Sequence, residues 1–527
     1  MRRALLTLLL AAPAFAQAPV DDAGTPDDAG VEDAGSAEPG AMQIESFEPF
    51  VEATDAGTSN TSGLESFGSG APAGPTVRFF TTLSGITGLD TKFDSPKGAP
   101  LAENVWDGRL RIRLGADVKL NEHVRVFLEG KAQLRWATER DFDRAKGFFE
   151  PMLGEAFVDF YSPSVDVRIG NQRIPLGANP LGSPADVLNP RDFREGFLNA
   201  EPEDTVLPVF AVKLSGQVNK LAWTAAYVPF FTPSKFDLFG QDEALLQPSL
   251  APALPTKNID PSIEDGIQQH LVQTKTPAPF AGDIALRAVY QGPVKLGASW
   301  AWINEKLPQV FIDNELATVL AQQAKGQRVD PATALSVENR LAAGETLFRG
   351  VYARQHVFAL EGSALLGPVQ LDADLAYSPR QTFFDISFNP VSKSALTFSV
   401  AISQAKDSPL LYGLSYVAMV IPDIGAKEQI ALLEPATAAG APHTAFFHLF
   451  AGNISYPVWH DRFLLELRAL FEPVQLSFAL SPRVTWQAVE GLKLFLAGEV
   501  WSGSPYSPFG YFARNDKVLL GARYELF

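Results

Sequence analysis

Arg109-Leu110-Arg111-Ile112-Arg113-Leu114-Gly115-Ala116-Asp117-Val118-Lys119-Leu120 is two sequences interleaved, and its reading decides the fold. One is Leu110, Ile112, Leu114, Ala116, Val118 and Leu120; the other is Arg109, Arg111, Arg113, Gly115, Asp117 and Lys119. Strict alternation over such a length is the period of a β-strand. A turn at Asn121-Glu122-His123 follows, and the alternation resumes. Val124, Val126, Leu128, Gly130, Ala132, Leu134 and Trp136 now alternate with Arg125, Phe127, Glu129, Lys131, Gln133 and Arg135. Strands of a soluble sheet have about 5–6 residues, whereas a tilted strand needs about 9–11 to cross a bilayer. The charged face must be wet. The apolar face would need a covering layer, and no run of helices remains to provide one. The pattern therefore predicts an all-β, transmembrane antiparallel β-barrel, with apolar side chains toward lipid and charged ones toward a lumen.

Read outward from there, the same period marks 18 segments between 76 and 527. They include 151–162, 164–174, 204–217, 347–366 and 460–472, and a count of 16 to 18 strands covers the irregular places. Short turns such as Asn121–His123, Gly292-Pro293 and Gly367-Pro368 alternate with long connections such as 175–203, 232–280 and 305–346. Short turns at one rim and long loops at the other is the outer-membrane barrel pattern, and an even count puts both termini at the short-turn, periplasmic rim. Glu472-Pro473 is the exception, a short connection where a long one is due. Trp106, Trp136, Trp223, Trp300, Trp302, Trp459, Trp486 and Trp501 fall on strands, several near the ends, as interfacial girdles require. In the loop 305–346, short helices are expected near 313–325 and 332–343.

The ends read differently. Residues 1–16 have the form of a secretory signal peptide: Arg2-Arg3, a short apolar run, then Ala14-Phe15-Ala16. Residues 17–75 repeat Asp-Ala-Gly at Asp22, Asp28, Asp33 and Asp55, and hold 12 Asp/Glu with no Lys or Arg. Such a segment buries too little to offset ordering entropy and is expected to be a disordered acidic periplasmic tail. It supplies much of the net charge of −17, and nothing in the balance points to nucleic acid. There is no Cys, which excludes a thiolate metal site. Phe527 ends the chain as the terminal aromatic that barrel-assembly machinery recognises.

Strand parity assigns lumen residues. Arg109, Arg111, Arg113, Arg125, Lys131, Arg135 and Arg168 fall inside early strands, and Arg462, Arg468, Arg483, Lys493 and Arg523 inside late ones. Closure joins the two groups into one basic wall. Glu361, Asp372 and Asp374 face it from across the lumen. Opposed charges in a narrow wet channel focus field lines on polar or anionic solutes. The loop 175–203 is rich in Pro, Gly and Asn, hence stiff. With Asp186, Asn189, Arg191, Asp192, Arg194 and Glu195 it is suited to fold inward as a constriction.

The same stretch carries a resemblance. Arg168-Ile169-Gly170-Asn171-Gln172-Arg173-Ile174-Pro175-Leu176-Gly177, then Ala185-Asp186-Val187-Leu188-Asn189-Pro190-Arg191-Asp192, resembles the Gly-x-Gln … Gly … Asp-x-x-Asn-Pro-x-Asp signature of large porin-like families. It looks like the alginate-export barrels and related uncharacterised outer-membrane barrels, and phosphate-selective porins are a weaker likeness without a visible Lys ladder. The resemblance implies passive passage of an anionic polysaccharide through an Arg-lined lumen. The acidic residues across the lumen depart from that pattern. No catalytic site, cofactor or metal is expected: His123, His270, His356, His443, His448 and His460 form no motif, and there is no His-Glu-x-x-His or nucleophile elbow. The expected partners are outer-membrane lipid and polar or anionic small molecules or polysaccharide. A structural or adhesive barrel with partner-binding loops is the competing class.

Overall fold

The computed structural model describes residues 75–526 except 93–103, 140–144, 197, 237–276, 317, 319–329, 346, 386–389, 406–407, 427, 436–439, 460–461 and 505–506. The expected signal peptide, the acidic tail, Phe527, His270 and His460 lie outside the described residues.

Alternation does what it should. Among the described residues twenty strands form, and 18 of them close one antiparallel sheet. In chain order they are β1 Thr76–Asp90, β2 Asn104–Lys119, β3 Val124–Glu139, β4 Ala145–Phe160, β5 Asp166–Gln172, β6 Val209–Val218 and β7 Leu221–Val228. Then come β8 Asp283–Tyr290, β9 Val294–Asn304, β10 Gln309–Ile312, β11 Phe348–Val351, β12 Arg354–Leu366, β13 Val369–Phe384 and β14 Pro390–Gln404. The last are β15 Leu411–Ile424, β16 His443–Val458, β17 Phe463–Glu472, β18 Ser477–Val489, β19 Leu492–Ser502 and β20 Lys517–Leu526. Each strand pairs with its chain neighbour, β12 pairs with β9, and β20 returns to β1 through Thr81↔Leu526 to Asp90↔Lys517. Closure removes the sheet edges that lipid could not satisfy. Each of the 18 expected segments overlaps one barrel strand.

Exposure is inverted relative to a water-soluble core. Leu110 is 47% and Leu114 51% exposed, while Arg111 between them is 5% exposed. Leu360 is 58% exposed and Asp372, on the next strand's other face, 1%. The apolar face points out of the barrel and the charged face into it.

Boundaries differ where a second constraint acts. β4 begins at Ala145, not 151, although it contains Pro151. β5 pairs only with Ala156–Phe160, so the earlier part of β4 has β3 on one edge only, and proline is tolerated at such an edge. The expected strand 347–366 is broken: Phe348–Val351 turns away to pair with Gln309–Ile312 in a separate hairpin. The expected strand 204–217 starts only at Val209, because Pro202–Thr205 forms a helical turn, α1, with Pro at its first position. A second helix, α2, spans Pro331–Ala342, near the expected 332–343. The connection after Glu472 is short, as the sequence showed.

Seven of the tryptophans lie on the outer parity of their strands or in the turn just beyond. Trp501 does not belong to the girdle. It shares the inward parity of Lys493 and Glu499, is 5% exposed, and packs on Phe509 and Phe512 at 6.3 and 5.4 Å.

Candidate functional site

The connection 173–208, between β5 and β6, lies inside the barrel. Its neck is laced shut. Asn189 accepts from the Ile174 amide (2.8 Å) and donates to the Leu207 carbonyl (3.0 Å). Arg173 donates to the Val206 carbonyl (2.9 Å), and the Leu207 amide to the Pro190 carbonyl (2.8 Å). Gly177 takes a left-handed φ of 94°, and a Cβ there would meet Ser183 Oγ. The motif Gly170 to Asp192 is thus the set of residues that folds the insertion. Asp186 pairs with Arg191 (3.1 Å) within the segment, and Asp192 accepts from the Arg194 amide at the head of a 3-10 turn, Phe193–Glu195. Burial pushes the Asp186 carboxyl above its usual range, with Arg191 pulling the other way.

Small residues make room for it. Ala226↔Ala285 and Ala285↔Ala301 are direct cross-strand partners, as are Ala359↔Ala376. Together with Ala211 they form an inward belt on β6–β9, β12 and β13, and Ile174, Leu176, Ala185 and Leu188 of the segment pack on it.

The first arm of the segment reaches the acidic wall. The Ala178 and Asn179 amides both donate to the Asp374 carboxylate at 2.8 Å, and Asn179 Nδ2 donates to Ser415 Oγ (3.0 Å). Glu361 is held by Arg287 of β8 in a two-point contact (2.7 and 3.0 Å), and Arg287 also donates to the Gly177 carbonyl (3.1 Å). Asp372 accepts from Gln370 (3.2 Å).

The second arm reaches the basic wall. Glu195 pairs with Arg109 (2.6 Å) and Arg111 (2.8 Å); Asp204 pairs with Arg111, Arg113 (3.3 Å) and Lys131 (3.5 Å). Arg135 donates to the Arg194 carbonyl and Arg468 to the Leu198 carbonyl, both at 2.9 Å. Asn199 bridges Glu499 (2.7 Å) and Ser481 (3.0 Å), Glu201 approaches Arg483 (3.5 Å), and Arg194 bonds Glu150 of β4 (2.9 Å). Burial opposes ionisation of Glu195, but Arg109 and Arg111 outweigh it and hold the carboxyl below its usual range. For Asp204 the same burial is outweighed by Arg111, Lys131 and Arg113, and its pKa is also lowered.

The remaining expected residues have partners in the barrel wall, and Arg523, after Arg483 and Arg468, also helps to hold the Glu201 carboxyl of the segment below its usual range. Arg125 pairs with Asp117 (2.8 Å) and Arg168 with Asp159 (2.6 Å), near the short-turn rim. Lys493 is the cross-strand partner of Arg523, which pairs with Glu525 (2.6 Å). Arg462 is a correction: β17 starts at Phe463, so Arg462 lies exposed in the turn before it and not on the lumen wall. A turn residue has no strand parity to orient it.

Three features escaped the sequence. Glu201 and Asp204 were read into or beside a strand; the Pro202 helix start was the signal. Arg287 shares the inward parity of Ala285 and was passed over. A third correction concerns the aqueous lumen. Val417, Met419 and Ile421 of β15 and Phe447 and Leu449 of β16 face inward and pack with Phe383, Phe384, Ile430, Leu432, Leu433, Tyr511 and Phe512. This sector of the interior is dry. Its signal was the lapse of alternation at Tyr416-Val417-Ala418-Met419-Val420-Ile421, apolar on both faces.

No family model and no curated protein matches the chain, so the alginate-export resemblance has no support beyond the residues that carry it. Several solved structures are similar. Acinetobacter baumannii OccAB1 has a TM-score of 0.43 at 8% identity, covering 86% of this chain and 97% of that one. Pseudomonas aeruginosa OccK2 (OpdF), in complex with glucuronate, has 0.42 at 11%, covering 87% and 99%. Salmonella typhi OmpF, in complex with daunomycin, has 0.38 at 9%, covering 86% and 98%.

Proposed function

We propose that the chain is an outer-membrane channel for diffusive passage of polar solutes, anionic or saccharide in class, with segment 173–208 as its constriction and both termini periplasmic. The observation that carries this reading is the inverted exposure around a closed 18-strand barrel. Exposed leucines all round the outside are stable only against lipid. The lumen wall opposite β3–β5 supports the solute class. On β14–β16 it offers Ser403, Asn453 and Ser455 rather than carboxylates, so a hydroxyl-bearing anion finds guanidinium on one side and neutral hydrogen-bonding groups on the other. The acidic residues beyond it are already engaged, Glu361 by Arg287 and Asp374 by backbone amides. Arg109, Arg111, Arg113 and Lys131 are likewise engaged, by Glu195 and Asp204, so the preference rests on the cations of the basic wall outnumbering the carboxylates of the acidic one.

Reversal potentials across a planar bilayer in a salt gradient test the reading. Anion preference is expected, and clear cation preference would overturn the basic-wall assignment. The dry sector around Phe447 and Tyr511 favours one second reading, a sealed structural or adhesive barrel. Liposomes carrying the protein should swell in graded sugars if the channel reading holds; impermeable liposomes would establish the second.

A further inference from the structure

On the outer surface, where β9 and β12 meet at the long-loop rim, cations and aromatic rings are gathered on one face and carboxylates on the other. Arg354 lies over the Trp302 ring with Cζ 3.5 Å from its centroid. It is pinned there by donating to the Ala281 (3.1 Å) and Gly282 (2.6 Å) carbonyls. Trp302 and His356 are cross-strand partners whose rings stack at 5.9 Å and 8°. Trp300 also lies nearly parallel to His356, at 5.9 Å and 22°, and its Nε1 donates to His356 Nδ1 at 3.3 Å. Even-numbered residues of β9 and β12 are the lipid-facing ones, as Leu296 (58%) and Leu360 (58%) show. The cluster therefore stands on the outside of the barrel.

One more cation flanks it. Arg380 is exposed, three residues beyond Tyr377, whose register partner is Phe358, two residues from His356. Among the described residues, the nearby carboxylates do not neutralise this face. Asp283 (1%) and Glu305 (3%) are buried, and Asp283 bonds Lys306 (2.5 Å). Asp313 and Glu315 pair with Arg340.

We propose that this patch binds a phosphorylated lipid of the outer leaflet. Arg354 and Arg380 take the headgroup phosphates, and the Trp300–His356–Trp302 stack lies along the first part of the acyl or sugar region. An aromatic stack at the level where headgroups meet hydrocarbon is the favourable place for amphipathic rings, and clustered Arg beside it supplies charge and geometry for phosphate. A guanidinium already held flat on indole loses little freedom on binding. The proposal rests on the membrane reading and orientation above.

The test uses the full-length mature protein in phosphatidylcholine nanodiscs doped with diphosphoryl lipid A, and counts lipids per barrel by native mass spectrometry. Retention of diphosphoryl lipid A over its dephosphorylated form and over phosphatidylglycerol is expected. Arg380→Gln, which leaves the pinned Arg354 in place, should lower that preference about tenfold, and Arg354→Gln added to it should abolish it. Equal retention of the dephosphorylated lipid or of phosphatidylglycerol, or unchanged retention by the variants, would overturn the proposal. Displacement of the lipid by inorganic phosphate would overturn the commitment to lipid. Heat-modifiable gel mobility separates the two levels: a barrel that never inserts sinks the membrane reading and this site with it, whereas an inserted barrel without lipid preference sinks the site alone.

Discussion

The two arms of segment 173–208 meet opposite walls of one barrel by opposite means. At the acidic wall the segment offers backbone: two amides converge on Asp374. At the basic wall it offers carboxylates, Glu195 and Asp204 to Arg109, Arg111, Arg113 and Lys131, and carbonyls to Arg135 and Arg468. Amides bring partial charge that the acid must accept as found, whereas carboxylates cancel guanidinium charge outright. The transverse field implied by wall residues alone is therefore reduced unequally. Along β2 and β3 the segment's carboxylates remove it; near the short-turn rim the barrel's own Asp159 and Glu525 do so, through Arg168 and Arg523.

The largest effect should come from Arg111→Ala. Arg111 is the shared partner of Glu195 and Asp204, and all three are nearly covered. Removing it leaves Glu195 with Arg109 and Asp204 with Arg113 and Lys131, but takes a charge-assisted bond from each carboxylate, at roughly 1.5–3 kcal/mol apiece. Unfolding in detergent, followed by tryptophan fluorescence, should show a loss of that order. Arg111→Ala/Asp204→Asn should recover part of it. A loss no larger than that of a surface ion pair would mean that the second arm is not clamped by charge.

Next is Asp374→Asn. The amide keeps one acceptor oxygen and turns an NH2 toward a backbone N–H, so one of two buried bonds is lost, at a cost of about 1–3 kcal/mol. The same unfolding assay ranks it against Arg111→Ala. Were Asp374→Asn the costlier change, the backbone-held arm would be the anchor and the comparison would reverse.

The barrel was legible and the insertion only partly so, for a physical reason. Lipid on one side and water on the other force period two on every strand, and β2 and β3 carry it almost without fault. Contacts inside the lumen impose no period. Asn189 and Gly177 could be recognised as turn formers, but nothing local says that Asn189 ties Ile174 to Leu207. The alanines at 226, 285 and 301 look like ordinary small strand residues until register aligns them into a belt. Glu201 and Asp204 were hidden by a helical turn only four residues long. Arg462 and Trp501 failed for opposite reasons: parity was applied to one residue in a turn, and was not applied to the other on a strand.

The smallest effect in the physiological range is that of pH on the second arm. Glu195 and Asp204 are held below their usual carboxylate range by the surrounding cations. A depressed carboxylate contributes stability that is complete above its unfolded value, about 4, and is lost as pH falls through the lower folded one. Between pH 7 and 5 the second arm should therefore not change. Below about pH 4 protonation should loosen it. A loosened arm makes a noisier constriction, so this arm should add open-level fluctuation to single-channel records only in strong acid. Glu195→Gln/Asp204→Asn should show that fluctuation at neutral pH. A transition centred above pH 5 that this double variant removes would mean that the cations do not grip these carboxylates, and the contrast between the two arms would have to be sought in packing instead of charge.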